Sequence, residues 1–201
     1  PIVKRRLWKY YKRDSEILVP LEVTKSNGDY IFRGKKFQLP LRGGYQAENL
    51  ATSLAVLEKF DEVPGDLESA LENVSCPGRM EIVSENPLYI RDGAHNPEAV
   101  KRILPEIPEG AICVFSAVKE KDIEKMVSLL EEKVSKFYFT ASNVPWCESP
   151  EAIARHTSKE FEVVQDPVEA VDMALKEADD RGSVIVTGSL YLIGDIMKNS
   201  G

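Results

Sequence analysis

The spacing of apolar and polar positions changes twice along the chain, near residue 45 and near residue 78. Up to Leu41 the apolar residues fall in short β-branched or aromatic clusters, Ile17 to Val23, Tyr30 to Phe32 and Phe37 to Leu41. Asn27-Gly28 stands between the first two, and that dipeptide favours a tight hairpin turn. Gly43-Gly44 closes this extended region. From Tyr45 to Phe60, Leu50, Leu54 and Leu57 recur at helical spacing with Ala51, Ala55 and Val56 beside them, which predicts a helix. A second, short helix is expected from Asp66 to Asn73, with Asp66 placed to accept from its exposed amides. The stretch Val74 to Gly78, punctuated by Pro77-Gly78, reads as a domain junction, giving regions 1–75 and 76–201.

Beyond that junction strands and helices alternate. Arg79 to Val83 and Leu88 to Arg91 are expected to pair as a hairpin. Strands follow at Ala111 to Ser116, Lys136 to Thr140, Phe161 to Val164 and Ser183 to Thr187. Helices are expected from Pro97 onward and at Lys121 to Val134, Pro150 to Ser158, Pro167 to Ala178 and Leu190 to Lys198. This alternation predicts an α/β fold, with a mostly parallel sheet and helices on both faces.

Composition narrows the function classes. A hydrophobic share of 43% and a charged share of 29% suit a globular protein, and the net charge of −7 argues against a nucleic-acid or membrane-surface binder. The basic cluster from Lys4 to Arg13, with Trp8, Tyr10 and Tyr11 interleaved, reads as an exposed amphipathic segment. Cys76, Cys113 and Cys147 lie too far apart for a zinc motif, and three sparse cysteines fit a reducing, cytoplasmic setting. No run of about 18 apolar residues predicts a membrane span, and the charged opening residues do not resemble a signal peptide. The chain opens at Pro1, so it is either processed or numbered from partway along a longer protein.

Ligands of open α/β sheets sit beyond the carboxyl ends of the strands, and three candidate loops occupy such places. In Arg91-Asp92-Gly93-Ala94-His95-Asn96-Pro97 an acid, a Gly and an imidazole meet at a helix start, where anions are favoured. Asp92 suits the hydroxyls of a ribose or, alternatively, the cap of the next helix. In Pro77-Gly78-Arg79 a turn presents an Arg whose forked guanidinium matches phosphate oxygens, unless it is a plain surface Arg. Thr187-Gly188-Ser189 offers amides and hydroxyls to a carboxylate, or Ser189 is an ordinary cap. Lys121, in Lys119-Glu120-Lys121-Asp122, is placed to reach an acidic substrate over the same edge, or is simply solvated. Gln46 and Asn49 sit one turn apart, and Asn49 suits the two-point edge of adenine. The 201 residues contain no G-x-x-x-x-G-K-[ST] loop, no G-x-G-x-x-G fingerprint and no G-x-S-x-G elbow.

Five motifs occur in one order: Gly44-Tyr45-Gln46-Ala47-Glu48-Asn49-Leu50-Ala51, Pro77-Gly78-Arg79-Met80-Glu81, Asp92-Gly93-Ala94-His95-Asn96-Pro97, Glu120-Lys121-Asp122-Ile123 and Val186-Thr187-Gly188-Ser189-Leu190-Tyr191. From about residue 37 onward the chain thus resembles the C-terminal half of folylpolyglutamate synthase and dihydrofolate synthase, of the Mur ligase superfamily. The resemblance implies an ATP-dependent amide ligase that activates a carboxylate as an acyl phosphate and joins it to the amine of L-glutamate. It implies a Rossmann-like C-terminal domain at 76–201, preceded at 1–75 by a small strand-plus-helix remnant of the central ATPase domain. Carried over by motif, Asn49 contacts adenine, Arg79 the phosphates and Asp92 the ribose of ATP. His95 lines the cleft as a catalytic candidate with Lys121, and Lys121 and Ser189 are candidates for the incoming glutamate. Magnesium accompanies ATP, and its ligands, the phosphate-binding loop and most of the folate or dihydropteroate site are expected ahead of residue 1. These 201 residues alone are therefore not expected to turn over ATP. Tyr45 stands where the family commonly has His, and Asn143 to Ser149 lacks an expected Arg. The alternatives are another Mur-type amino-acid ligase and a non-catalytic nucleotide- or amino-acid-binding module.

Overall fold

The computed structural model describes residues 10–12, 15–17, 23–26, 29–59 and 62–199. The chain divides into two compact units, Pro1–Ser75 and Cys76–Gly201.

In the first unit β1 (Tyr10–Lys12) and β2 (Ser15–Ile17) pair antiparallel. A second antiparallel sheet has the order β3 (Val23–Ser26), β4 (Asp29–Phe32), β5 (Lys35–Phe37). The Asn27-Gly28 turn signal lies outside the described residues. β5 starts earlier than the hydrophobic cluster suggests, because Arg33 and Gly34, at φ 51° and 76°, make the tight turn between β4 and β5. Positive φ at both central residues matches the twist of a hairpin, and Arg-Gly is a weak written signal for it. α1 (Gln46–Lys59) and α2 (Leu67–Leu71) complete the unit. Tyr30, Phe32 and Phe37 from the sheet are buried with Ala47, Leu50, Ala51 and Leu54 of α1 and Leu67 of α2. Asp66 accepts from Ser69 N at 3.2 Å and so caps α2.

The second unit is an α/β layer structure. Its elements are β6 (Glu81–Glu85), β7 (Leu88–Arg91), α3 (Pro97–Ile103), β8 (Ala111–Phe115), α4 (Ile123–Leu130), β9 (Val134–Phe139), α5 (Pro150–Ile153), β10 (Glu160–Val163), α6 (Pro167–Ala178), β11 (Ser183–Thr187) and α7 (Leu190–Asn199). The six-stranded sheet has the order β10-β9-β8-β11-β7-β6. It is parallel except for β6, which pairs antiparallel with β7 at the edge. The mostly parallel sheet is what the alternation of elements predicts, and with its flanking helices it is Rossmann-like, as the resemblance implies. α4 is shorter than the sequence suggests, because Glu131 to Lys133 turn and let Val134 enter β9 with its side chain buried.

Alternation along the strands divides the side chains between two packed faces. Tyr89, Ile112, Val114, Tyr138, Val184 and Val186 pack with Ala170, Val171 and Ala174 of α6 and Leu192, Ile193 and Ile196 of α7. The intervening positions place Cys113, Phe115, Phe137, Phe139 and Ile185 on the opposite face, all fully buried. There Phe137 stacks on Phe139 at 5.0 Å and Phe115 meets Phe139 edge-on at 6.3 Å, arrangements the aromatic quadrupole favours. Burial pushes the Cys113 thiol far up, so it is an inert core residue.

A charged cluster is built where β9 meets β10 and α6. Lys136 of β9, 7% exposed, reaches Glu162 at 2.7 Å, Glu177 at 2.8 Å and Glu160 at 3.4 Å. The Tyr138 hydroxyl also donates to Glu177. Burial alone would lower the Lys136 pKa, but hydrogen bonds to Glu162 and Glu177 outweigh it and hold the ammonium above its ordinary value. No helix among the described residues is long and apolar enough to cross a membrane.

Candidate functional site

β7 ends at Arg91, and Asp92 to Asn96 lead into α3. Asn96, extended at φ −156°, accepts from Ala99 N at 2.8 Å, and Pro97 sits in the first turn, where its missing N–H is not needed. The cap of this helix is therefore Asn96, and Asp92 does not serve as one. Asp92 is 2% exposed, and both of its oxygens face inward. Oδ1 accepts from Ala94 N at 2.8 Å, the short-range turn that Asp favours, and Oδ2 accepts from Met80 N at 2.8 Å.

The second of these bonds ties the loop to the turn ahead of β6. There Arg79 N donates to Cys76 O at 3.1 Å across Pro77 and Gly78, with Gly78 at φ 68°. Pro followed by a positive-φ Gly is the composition of a type II turn. Met80 follows at φ 46°, a left-handed conformation that costs a side-chain-bearing residue about 1 kcal/mol or more. It is held there by Asp92 below and by the Gly93 N to Gly78 O bond at 2.8 Å alongside. Glu81 adds two further bonds. Its Oε2 accepts from Gly78 N at 2.9 Å and its Oε1 meets Arg91 Nη2 at 3.1 Å. Because β6 runs antiparallel to β7, this turn stands at the carboxyl edge of the parallel strands, beside Asp92 and Gly93. Arg79 itself is exposed, and among the described residues its guanidinium has no acidic partner.

His95 is half-buried, with Nδ1 2.9 Å from Gly93 O. A carbonyl only accepts, so Nδ1 carries the proton and Nε2 of the neutral ring is left as an acceptor. The end of β11 joins the same edge. Asp92 N donates to Val186 O at 2.9 Å, and Gly188 N donates to Ala94 O at 2.9 Å. Ser189, 2% exposed, accepts at Oγ from Tyr191 N at 3.1 Å as α7 begins. The Ser189 hydroxyl thus serves the helix start. The loop after β8 is joined by Ser116 N to Thr187 O at 3.4 Å, and it carries Lys121, half-buried and with no ion pair among the described residues.

The fold therefore brings the loops of Arg79, Asp92, His95, Lys121 and Ser189 to one edge of the six-stranded sheet. Asn49 belongs to the first unit. It is exposed on α1 and donates to Gln46 Oε1 at 2.9 Å, while Gln46 donates to Arg42 O at 3.1 Å.

Several residues at this edge are given no role by the sequence, although some of them fall inside its motifs. Glu81 and Arg91 are an opposite-charge pair in direct register across the β6–β7 hairpin, which a drawn register discloses. The rings of Trp146 and Tyr191, each 49% exposed, meet edge-on at 5.8 Å. Cys147 Sγ lies 3.3 Å from both Ser116 Oγ and Ser142 N and so pins the Trp146 loop to the end of β8. The ring contact and the bond to Ser116 each join residues about 30 positions or more apart, and no local signal foretells them. Among the described residues no group of three His, Cys, Asp or Glu side chains converges as metal ligands.

Residues 78–190 match the family described as Mur ligase, glutamate ligase domain. A probable bifunctional folylpolyglutamate synthase/dihydropteroate synthase of Haloferax volcanii is 31% identical, over 79% of this chain and 20% of its own length. A UDP-N-acetylmuramoyl-L-alanyl-D-glutamate--2,6-diaminopimelate ligase of Aquifex aeolicus is 32% identical, over 85% of this chain and 36% of its own. The crystal structure of the bifunctional folylpolyglutamate synthase/dihydrofolate synthase from Yersinia pestis, complexed with AMPPNP and a manganese ion, superposes with a TM-score of 0.74. It is 29% identical over 89% of this chain and 45% of its own. The chain thus spans less than half the length of each of these proteins.

Proposed function

The chain belongs to the Mur ligase family, whose glutamate ligase domain it carries, and we propose that it is part of an ATP-dependent ligase that adds L-glutamate to a folate. The observation that carries this reading is Arg79: an exposed guanidinium without an acidic partner among the described residues, on a turn fixed by four hydrogen bonds at the carboxyl edge of the sheet. A cation that is positioned but not neutralised suits the phosphate oxygens of a nucleotide. The Yersinia pestis complex, with its bound ATP analogue, supports the same choice of ligand.

In this reading Arg79 holds ATP phosphates and Asn49 the adenine. Asp92 contacts the ribose, its carboxylate keeping acceptor capacity beside the two amide bonds it already holds. The acceptor carboxylate oxygen attacks the γ-phosphorus of ATP, which breaks the bond to the bridging oxygen, releases ADP and leaves an acyl phosphate. Attack by the glutamate amine then forms the amide bond, breaks the acyl C–O bond to phosphate and releases the amine proton. Lys121 and the amides around Ser189 offset the charge of glutamate's carboxylates, and His95 Nε2, an acceptor, is suited to take up the released proton. The described residues do not form a metal-ligand set, and the ligands of the magnesium that accompanies ATP are expected ahead of residue 1. The section 1–75 is read as the end of the ATPase domain, and 76–201 as the amino-acid ligase domain.

The test is product analysis with the whole ligase that carries this chain, given Mg·ATP, L-glutamate and either tetrahydrofolate or dihydropteroate. A product one glutamate heavier, with one phosphate released per bond, is expected. These 201 residues alone should release none. The likeness to the Aquifex aeolicus ligase supports a second reading, in which the acceptor is a UDP-linked cell-wall precursor. Extension of that acceptor, with folate left untouched, would replace the first reading with the second.

A further inference from the structure

We propose that Trp146 is a positioning residue for the incoming amino acid, acting through Lys121: its ring, seated against Tyr191, ties the Lys121 loop to the start of α7. The proposal rests on the reading of Lys121 and the amides around Ser189 as the glutamate side of the site. It concerns what keeps the ammonium at a fixed separation from those amides.

The stretch from Asn143 to Glu148 runs between the two loops as a strut. On the Lys121 side it is held by backbone. Lys119 N donates to Trp146 O at 3.1 Å, Glu148 N donates to Ala117 O at 2.8 Å, and Val118 and Cys147 form an isolated antiparallel bridge. Lys121 N closes the same loop onto Val118 O at 3.1 Å. On the α7 side the hold comes from side chains. Asn143 N donates to Asp195 Oδ2 at 2.7 Å, and the Trp146 indole meets the Tyr191 ring at 5.8 Å and 72°. Asp195 lies one helical turn further along α7, so the ring contact is the one that acts at the helix start. There Tyr191 N donates to Ser189 Oγ at 3.1 Å.

Both rings are 49% exposed, so the pair adds little to the buried core, yet its edge-on geometry is one that the ring quadrupole favours. Lys121 has no ion pair among the described residues. Its loop, rather than a carboxylate, therefore sets where the ammonium stands, and a small displacement of that loop weakens its hold on an acidic substrate.

The experiment compares Trp146→Ala, Trp146→Phe, Tyr191→Ala, Lys121→Ala and the double variant Trp146→Ala/Lys121→Ala in the whole ligase, reading KM for L-glutamate, KM for ATP and kcat. Lys121→Ala should raise KM for glutamate about tenfold or more, the loss of one charge-assisted contact. Trp146→Ala should raise it about threefold to tenfold, the worth of one aromatic pair, and Tyr191→Ala should match it. Trp146→Phe keeps a ring against Tyr191 and should stay within about twofold of wild type. KM for ATP and kcat at saturating glutamate should move less than about twofold in these aromatic variants, because only the ground-state hold on glutamate is touched. The double variant should be no worse than Lys121→Ala within about twofold, since the strut has nothing left to place.

Multiplicative effects in the double variant would overturn the proposal and leave the functional reading intact. So would a Trp146→Phe enzyme as poor as Trp146→Ala, which would mean that the indole itself touches the amino acid. A wild-type KM for glutamate in Lys121→Ala would overturn both the proposal and the placing of glutamate at this edge. Should Trp146→Ala be unstable, Tyr191→Ala removes the other half of the ring contact. A wild-type KM for glutamate in a folded Tyr191→Ala enzyme would sink the idea.

Discussion

Gly188→Ala is expected to destabilise the second unit by about 2–5 kcal/mol, a large part of the about 5–15 kcal/mol that holds a typical domain together. Two costs add. Gly188 has φ 100°, well outside the region an L side chain tolerates, and forcing it there costs about 1–2 kcal/mol. The new Cβ would also stand 2.3 Å from Ser116 O and 2.6 Å from the Phe115 ring. Ser116 and Phe115 are both fully buried, and the first of these contacts is with backbone, so the loop after β8 must move. Overpacking of this kind costs about 1–3 kcal/mol. Gly110→Ala is the control, since Gly110 also has positive φ, 76°, but nothing lies within 4 Å of the place its new methyl would occupy. It should cost about 1 kcal/mol. Urea unfolding of the two variants measures the difference, and equal losses would mean that the β8 and β11 loops do not approach as described.

Lys136→Met is expected to cost about 2–3 kcal/mol at pH 7, less than the about 3–5 kcal/mol of a buried ion pair whose remaining charge cannot return to water. Here the side chains of Glu162 and Glu177 are 43% and 41% exposed, so water recovers part of the loss. The pH profile carries the sharper signature. Hydrogen bonds from Lys136, then from Tyr138, hold Glu177 below its ordinary 4.5. A carboxylate depressed in the folded state contributes stability above its unfolded pKa, and that contribution is lost as pH falls through the folded value. The gap between wild type and Lys136→Met should therefore close as pH falls below 4.5. On the basic side Lys136 is raised above its ordinary 10.5, so its contribution is complete below that value and is lost only at higher pH. Burial, reinforced by the bond to Glu177, likewise pushes the Tyr138 phenol up to about 12. A gap that stayed constant from acid to neutral pH would show that the carboxylates do not depend on Lys136.

The layer order of the second unit is legible because its signals are local and agree with one another. The helix expected from Pro167 to Ala178 and the β-branched run Ser183 to Thr187 match α6 and β11 in their observed bounds. The pattern puts the start of β6 two residues early, since Arg79 and Met80 look like strand residues, whereas Met80 sits at positive φ with its N–H bonded to Asp92. The same bond hides the local work of Asp92. From sequence its choices are a cap or a ribose contact, whereas its second partner lies twelve residues back and is met only once β6 and β7 pair. Arg79, by contrast, is singled out by Pro77-Gly78 alone, because a type II turn is written in its own residues. Lys136 carries no such mark for the opposite reason: its three carboxylates come from β10 and α6, brought together only by the sheet.

β11 is the last strand of the sheet in sequence and lies between β8 and β7 near its centre. While the chain is being synthesised, the partners on both sides wait with open hydrogen-bonding edges until Ser183 to Thr187 emerges from the ribosome. Unpaired edges of this kind are what drives intermolecular association of nascent β structure. The unit is therefore most exposed to aggregation late in translation, and a stop or frameshift before residue 183 would do more harm than its distance from Arg79 suggests, because it splits the sheet in two.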